Sequence, residues 1–395
     1  MSRAEKQRKQ GKRDFMNQKE LSEIRRHLTL DKNNIGTVYG CYVNSNKEII
    51  SYLDESLGLM DEFETEKYLG FLKKVLSGGL GKSLIDIVFT SEQVMNGEEH
   101  KLLTALWSSS LGDSDAREQL YRKIIDTLDF REHNYLILLA CDHYDVPYRG
   151  ADGEIQKDAS ESMFSYILCS VCPVKDGKPE LGYAPMENGF RRHNSIQLVG
   201  APEVGFMFPT FDDRSANLYN ALFYSKDHTT LNPDFLEAVF HTEEIPMSAG
   251  EQQAAFGGVL EESLAEDCSF DVVQDLHEHI RGRVLLHKES KDPEPLKISA
   301  REVCEVLHGS GVPEERVNAF KEECDARFGE SAALNPANIM DSKKFRIEAP
   351  NVKITVDPEF TCVIQTKVIN GRKYLLIPAN EGVEVNGVGV EIGEE

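Results

Sequence analysis

Residues Asn134–Val146, NYLILLACDHYDV, form the most hydrophobic stretch of the chain, and it ends in acids, an imidazole and a phenol. Two more apolar runs follow, SYILCSVCPV (Ser165–Val174) and VGFMFPTF (Val204–Phe211). The two main runs are too short for typical core helices and are rich in residues that suit buried strands. The three together are the candidate central strands of the core. Pro202 and Pro209 punctuate the short strands Ile196–Val199 and Val204–Phe208 and argue against uninterrupted central strands there. YRGADGEIQKDASE, between the first two, reads as a polar loop. KDGK (175–178) marks a turn, Leu181–Ala184 a candidate returning strand, and Ile196–Val199 a further short one.

Before this block, Asn17 and Glu20 fit a helix start with Leu21, Ile24 and Leu28 on one face. Thr37–Val43 reads as a strand with Glu48–Leu53 as its hairpin partner. Helices are expected over Asp61–Leu76, His100–Trp107 and Asp115–Leu128, with a strand at Ser83–Phe89. After it, Asn232-Pro233 opens a run of five helices, the third over Asp271–Ile280. KESKDPEPLK links the third to the fourth. From residue 345, FRIEA, VKITV, TCVIQTKVI, KYLLIPA and VEVNGVGVEI alternate like strands, and Asn370-Gly371 is the strongest hairpin signal in the chain. The pattern predicts an α+β protein: a mixed or antiparallel central sheet with flanking helices, a helical middle region and a small C-terminal β-rich cap. The expected boundaries are a flexible basic tail over 1–15, an α+β core over 16–230, a helical region over 231–330 and the β-rich subdomain over 331–395.

The formal charge of −23 disfavours non-specific binding to nucleic acid and keeps the molecule soluble. The basic tail, with Arg3, Lys6, Arg8, Lys9, Lys12 and Arg13, is too small an exception to bind firmly without a wider basic surface. No stretch is long and apolar enough to span a membrane, and the N-terminus lacks the apolar core of a secretory signal. Eight cysteines in so long a chain make no disulfide framework, and most sit among apolar neighbours, so the cytoplasm is the expected compartment.

Motifs for chemistry are few. LSGGLGKS (76–83) lacks the first glycine of a phosphate loop and has a helix before it and a strand after, the wrong order. Cys169 and Cys172 have dithiol spacing but end an apolar run, and a strand would face them opposite ways. His277-Glu278-His279 lacks the four-residue spacing of a zinc helix and reads as solvated helix surface. Phe206, Phe208, Phe211, Tyr219, Phe223 and Tyr224 could stack bases, yet core packing is the commoner use. The helix pair 299–307 and 313–328 is too acidic for a recognition element and suits a protein partner better.

The acidic tips of the apolar runs are the most suggestive group. Asp142 and Tyr144 share one strand face, His143 and Asp145 the other. Asp212 and Asp213 end the third run and Glu203 precedes it. If the ends lie side by side, Asp142, Asp145, Glu203, Asp212 and Asp213 could hold Mg²⁺. Metal-assisted phosphodiester hydrolysis would follow, with Asp142, His143, Asp145, Asp212 and Asp213 as the catalytic candidates. Otherwise these carboxylates are solvated or pair with Arg149, Arg191, Arg192 or Arg214.

YLILLACDHYDVP, PEVGFMFPTFDDRSANLYNALFYSKD and NGRKYLLIPANEGVEVNGVGVEI together resemble a family of uncharacterised proteins from anaerobic Firmicutes, over nearly the whole chain. The resemblance implies a cytosolic bacterial protein and supplies no activity, ligand or catalytic residue. Three functions stay open. The first is a binding or scaffold protein that self-associates or takes a protein partner. The second is the Mg²⁺-dependent hydrolase. The third is nucleic-acid binding through the tail and the aromatic block.

Overall fold

The computed structural model describes residues 16–393, apart from residues 129, 131–132, 150–154, 178–179, 185, 187, 194–195, 230, 243–245, 291, 293, 330–331 and 380–381. The chain divides into two compact units, Met1–Gly250 with Pro293–Pro295, and Glu251–Asp292 with Leu296–Glu395.

The first unit is built on an eight-stranded, wholly antiparallel sheet. In chain order it uses β1 (Thr37–Val43), β2 (Ile49–Ser56), β3 (Leu84–Val88), β4 (Asn134–Arg149), β5 (Ile155–Asp176), β8 (Gln197–Val199), β9 (Val204–Phe208) and β12 (Asn220–Ser225). The order is β2-β1-β4-β5-β9-β12-β3, with β8 on β5, so the three apolar runs lie at the centre. Side chains alternate across β4. Tyr135, Ile137, Leu139 and Cys141 enter one core, and Leu136, Leu138 and Ala140 the other.

Helices cover both faces. Leu103 and Leu106 of α4 (Glu98–Ser108), Leu120 and Ile124 of α5 (Ser114–Thr127), and Phe235 and Phe240 of α6 (Pro233–Phe240) fill the first core. The short α3 (Ser91–Asn96) precedes α4. Leu21 and Ile24 of α1 (Gln18–His27), with Leu69 and Leu72 of α2 (Glu62–Lys74), fill the second. The molecule is therefore α+β with an antiparallel main sheet and flanking helices.

Two local expectations are corrected. The segment read as a polar loop is largely strand, because β4 runs to Arg149 and β5 starts at Ile155. A two-stranded ladder satisfies its backbone whatever the polarity of its side chains. The candidate returning strand, β6 (Glu180–Ala184), pairs with β7 (Gly189–His193), and β8 is the strand that returns to β5.

The second unit opens on α7 (Ala249–Leu264), whose first two residues belong to the first unit, and continues through α8 (Phe270–Ser290), a third helix longer than expected. It goes on through β13 (Ile298–Ser299), α9 (Ala300–Gly309), α10 (Glu314–Phe328), β14 (Ala333–Leu334) and α11 (Pro336–Ile339). Phe256, Val259, Leu276, Ile280, Val303 and Phe320 make its core. Three ribbons end the chain: β15–β16 (Phe345–Ala349, Val352–Val356), β17–β18 (Gln365–Ile369, Arg372–Leu376) and β19–β20 (Glu384–Val385, Val388–Gly389). Asn370 (φ 50°) and Gly371 (φ 77°) both lie in the left-handed region. That conformation turns β17 into β18, as an Asn-Gly pair between two strands predicts. No helix among the described residues is long and apolar enough to cross a membrane.

Candidate functional site

The polar end of β4 is folded under α1. Asn17 caps that helix, accepting from the N–H groups of Lys19 and Glu20, while the Asn17 N–H donates to Glu20 Oε2 at 2.9 Å. The box fixes the helix start, and the 3.6-residue repeat then places Glu20, Ile24 and His27 in the buried stripe with Leu21.

Asp142 follows Ala140 into the second core and is fully buried. Its Oδ1 accepts from the N–H groups of Asn34 (2.8 Å) and His143 (2.9 Å), and its Oδ2 accepts from the Tyr166 hydroxyl at 2.7 Å. His27 Nε2 stands 3.3 Å from Oδ2, at ion-pair distance but out of hydrogen-bond alignment. Asn34 also donates its side-chain amide to the His143 carbonyl at 2.7 Å. With four protein neighbours around about four lone-pair positions, the carboxylate is committed to the fold.

The same face continues outward through Tyr144. Its hydroxyl donates to Glu23 Oε1 at 2.6 Å, and its ring leans on His27 (centroids 4.9 Å) and Phe211 (6.0 Å). Arg214 reaches the same Glu23 oxygen at 3.5 Å and donates to the Pro147 carbonyl at 2.6 Å. It comes from the tight turn joining β10 (Thr210–Asp212) to β11 (Ser215–Asn217), where Asp213 and Arg214 take positive φ of 44° and 62°. The backbone N–H groups of that turn face Glu20, with Asp212 close by.

The acidic tips thus emerge along one side of α1. Asp142 lies at His27 and Asp212 at Glu20. The seven steps of helix from Glu20 to His27 span about 10 Å. Glu23, Tyr144 and Arg214 fill the interval. Asp212 accepts from the Asn217 amide at 3.2 Å, while Asp213 and Asp145 are exposed. Glu203 is elsewhere. It stands beside Val171 and pairs with Lys226 at 2.7 Å. On β5, Val171 lies roughly 17 Å along the strand from the Tyr166 that holds Asp142. His143 points to the other face, where Nδ1 meets Ser165 Oγ at 2.8 Å and the Trp107 indole donates to the Ser165 carbonyl at 2.7 Å. Among the described residues, no group of three or more His, Cys, Asp or Glu is disposed to hold a metal ion. A cleft of about 660 Å³ opens between residues 28–31 and 66–74, and none of these aspartates lines it.

Burial pushes the Asp142 carboxyl up, but the contacts from His27, Tyr166 and Asn34 outweigh it and hold it below its ordinary value. Glu20 goes the other way, raised chiefly by burial. Burial and the neighbouring Asp142 keep the Tyr166 hydroxyl protonated far above its usual range. The depressed Asp142 group contributes stability that is complete above its unfolded value and drains as pH falls through its folded one. Glu20 opposes this, since its neutral form is favoured in the fold. Urea unfolding of wild type beside Asp142→Asn isolates the first effect. The stability gap between them is expected to narrow as acid takes the pH through the carboxylate range. A gap independent of pH would show that the carboxyl is not held low.

The other sequence motifs resolve into packing. Gly78 and Gly81, at φ 114° and 74°, carry the chain from α2 to β3 as a linker. Cys169 and Cys172 enter opposite cores, and all eight cysteines are free. Phe206, Phe208, Phe211 and Phe223 are wholly buried, whereas Tyr219 is about half exposed. His277 is a correction: it is buried rather than solvated, with Nε2 3.0 Å from the Asp341 carbonyl and its ring edge-on to Phe345. The amphipathic turn of α8 carries it into the core beside Leu276 and Ile280. His279 lies 3.0 Å from Glu302. The basic tail and the side chains of Arg149 and Arg192 lie outside the described residues.

The cluster's members on α1, His27, Glu20 and Glu23, escape a motif search, because a clamp has no fixed spacing between its strands and its helix. Their signal is polar residues at 20, 23 and 27 continuing a helical stripe that otherwise buries leucine and isoleucine. The comparison with curated proteins finds no match. A family model described as a domain of unknown function, DUF4317, matches residues 16–388. That span takes in the α1 clamp, the central sheet, the helical core and the terminal ribbons, and on it the chain belongs to the DUF4317 family.

Proposed function

We propose that this chain is a bacterial, cytosolic binding or scaffold protein that self-associates through its C-terminal ribbons. One observation carries the reading. In β17–β18, Val368, Ile369, Tyr374 and Leu375 are 69%, 44%, 42% and 38% exposed on a two-stranded ribbon. An isolated ribbon is marginal in water and gains stability when a further strand or layer covers it. Exposed apolar surface of this kind marks interaction sites. The committed carboxylate of Asp142 and the exposed, separate Asp145 and Asp213 favour binding over metal-assisted hydrolysis. The free thiols suit a reducing compartment.

Light scattering of the full chain over a roughly hundredfold concentration series tests this, since micromolar association would appear within it. The mass is expected to rise with concentration, and to rise less for Val368→Asp/Tyr374→Asp. A mass fixed at one chain throughout would overturn the reading.

A further inference from the structure

The ribbon β17–β18 is out of character with the rest of the molecule. Between Gln365 and Leu376 it carries Lys367, Arg372 and Lys373 and no acid, in a chain of net charge −23. Among the described residues, its second strand, β18, pairs only with β17. Among the described residues, the sheet of the first unit ends on one side at β2, which pairs only with β1. That edge strand reads IISYLDES and carries Asp54 and Glu55 with no base. Ile50 and Tyr52 are 57% and 59% exposed along it. Open edges invite a further strand, and charged residues on them decide which strand is admitted. Two adjacent acids repel a second β2 and attract a basic strand.

Resting on the self-association reading, we propose that β18 of one copy adds antiparallel to the open edge of β2 in a second copy. Arg372 then faces Glu55, Lys373 faces Asp54, Tyr374 faces Leu53 and Leu375 faces Tyr52. Directly opposed residues share a face of the sheet, so this single register satisfies all four pairs. Two are opposite charges and two join an aromatic ring to leucine, the combinations that stabilise cross-strand neighbours. Shifting the register by one residue in either direction keeps only one opposed charge pair and sets a charged residue against Tyr374 or Leu53. The added backbone ladder supplies affinity, and the alternate side chains supply selectivity for this strand.

Charge exchange tests it, using full-length protein in sedimentation velocity. Asp54→Lys/Glu55→Lys and Arg372→Glu/Lys373→Glu, each alone, are expected to weaken self-association at least about tenfold, as two attractive pairs become repulsive. All four residues are exposed, and circular dichroism checks that each variant folds. An equal mixture of the two variants is expected to recover wild-type association, since both reciprocal contacts are again complementary. The chain carrying all four substitutions is expected to recover it alone. Wild-type association in either double variant, or no recovery in the mixture, would overturn this pairing while leaving self-association standing. A wild type that stays monomeric would sink both.

Discussion

Asp142→Ala is expected to lower the unfolding free energy of the first unit by about 3–5 kcal/mol, since each buried donor that loses its partner costs about 1–3 kcal/mol. The substitution strands three donors at once: the Tyr166 hydroxyl and the N–H groups of Asn34 and His143. It also leaves His27 against an apolar wall. None of these groups has an easy route to water, because Asp142 and Tyr166 are wholly buried and His27 nearly so. Tyr166→Phe removes only one donor and is expected to cost about 1–2 kcal/mol. Urea unfolding followed by the fluorescence of Trp107, the single tryptophan, reads both, since its indole bonds the Ser165 carbonyl next to Tyr166. A loss under about 1 kcal/mol for Asp142→Ala, the size of an ordinary substitution, would mean that water fills the site and that the clamp is not structural.

The contrast between Asp142 and Asp145 shows what strand periodicity can and cannot tell. Alternation along NYLILLACDHYDV places Asp142 with Tyr144 and His143 with Asp145, and the faces divide that way. It carries no information on what covers each face. Asp142 is buried because α1 lies over it, and α1 lies there because Leu21 and Ile24 join the second core. That docking is a long-range event, with more than a hundred residues between Asn34 and the Asp142 that its N–H holds. Local pattern is blind to it. The same limit explains His277, whose tripeptide reads as surface until Phe345 is brought beside it.

Elements whose cause is local were legible. The Asn17–Glu20 cap and the Asn370-Gly371 turn each depend on residues within three positions of one another. The central position of the three apolar runs was legible for a related reason: residues apolar on both faces must lie where both faces are covered. Pairing partners were harder. β6 turns back on β7, where Tyr183 and Phe190 are cross-strand partners with their rings edge-on at 5.5 Å, an arrangement no run of hydrophobicity announces.

Gly205→Ala is the other substitution expected to act strongly, and it tests how closely α2 lies on the sheet. Gly205 sits in β9 between Ser170 and Tyr224. A Cβ there would stand 2.3 Å from the Cys169 carbonyl oxygen and 2.5 Å from Val75 Cγ1. Both distances fall far inside the roughly 3.5–4 Å of a normal contact. Val75 is itself fully buried at the end of α2, so neither neighbour can swing into solvent. The strands must part or the helix must lift, at an expected cost of about 3 kcal/mol, the upper end for an overfilled core. Adding Val75→Ala should recover only part of it, because the carbonyl belongs to the backbone. Gly70 is on the exposed side of the same helix, with nothing within 4 Å of where its Cβ would be. Gly70→Ala should instead stabilise by roughly 0.5–1 kcal/mol. Opposite signs for these two alanines in urea unfolding are the expected result. A mild effect at Gly205 would mean that the helix rides higher above the sheet than these distances place it.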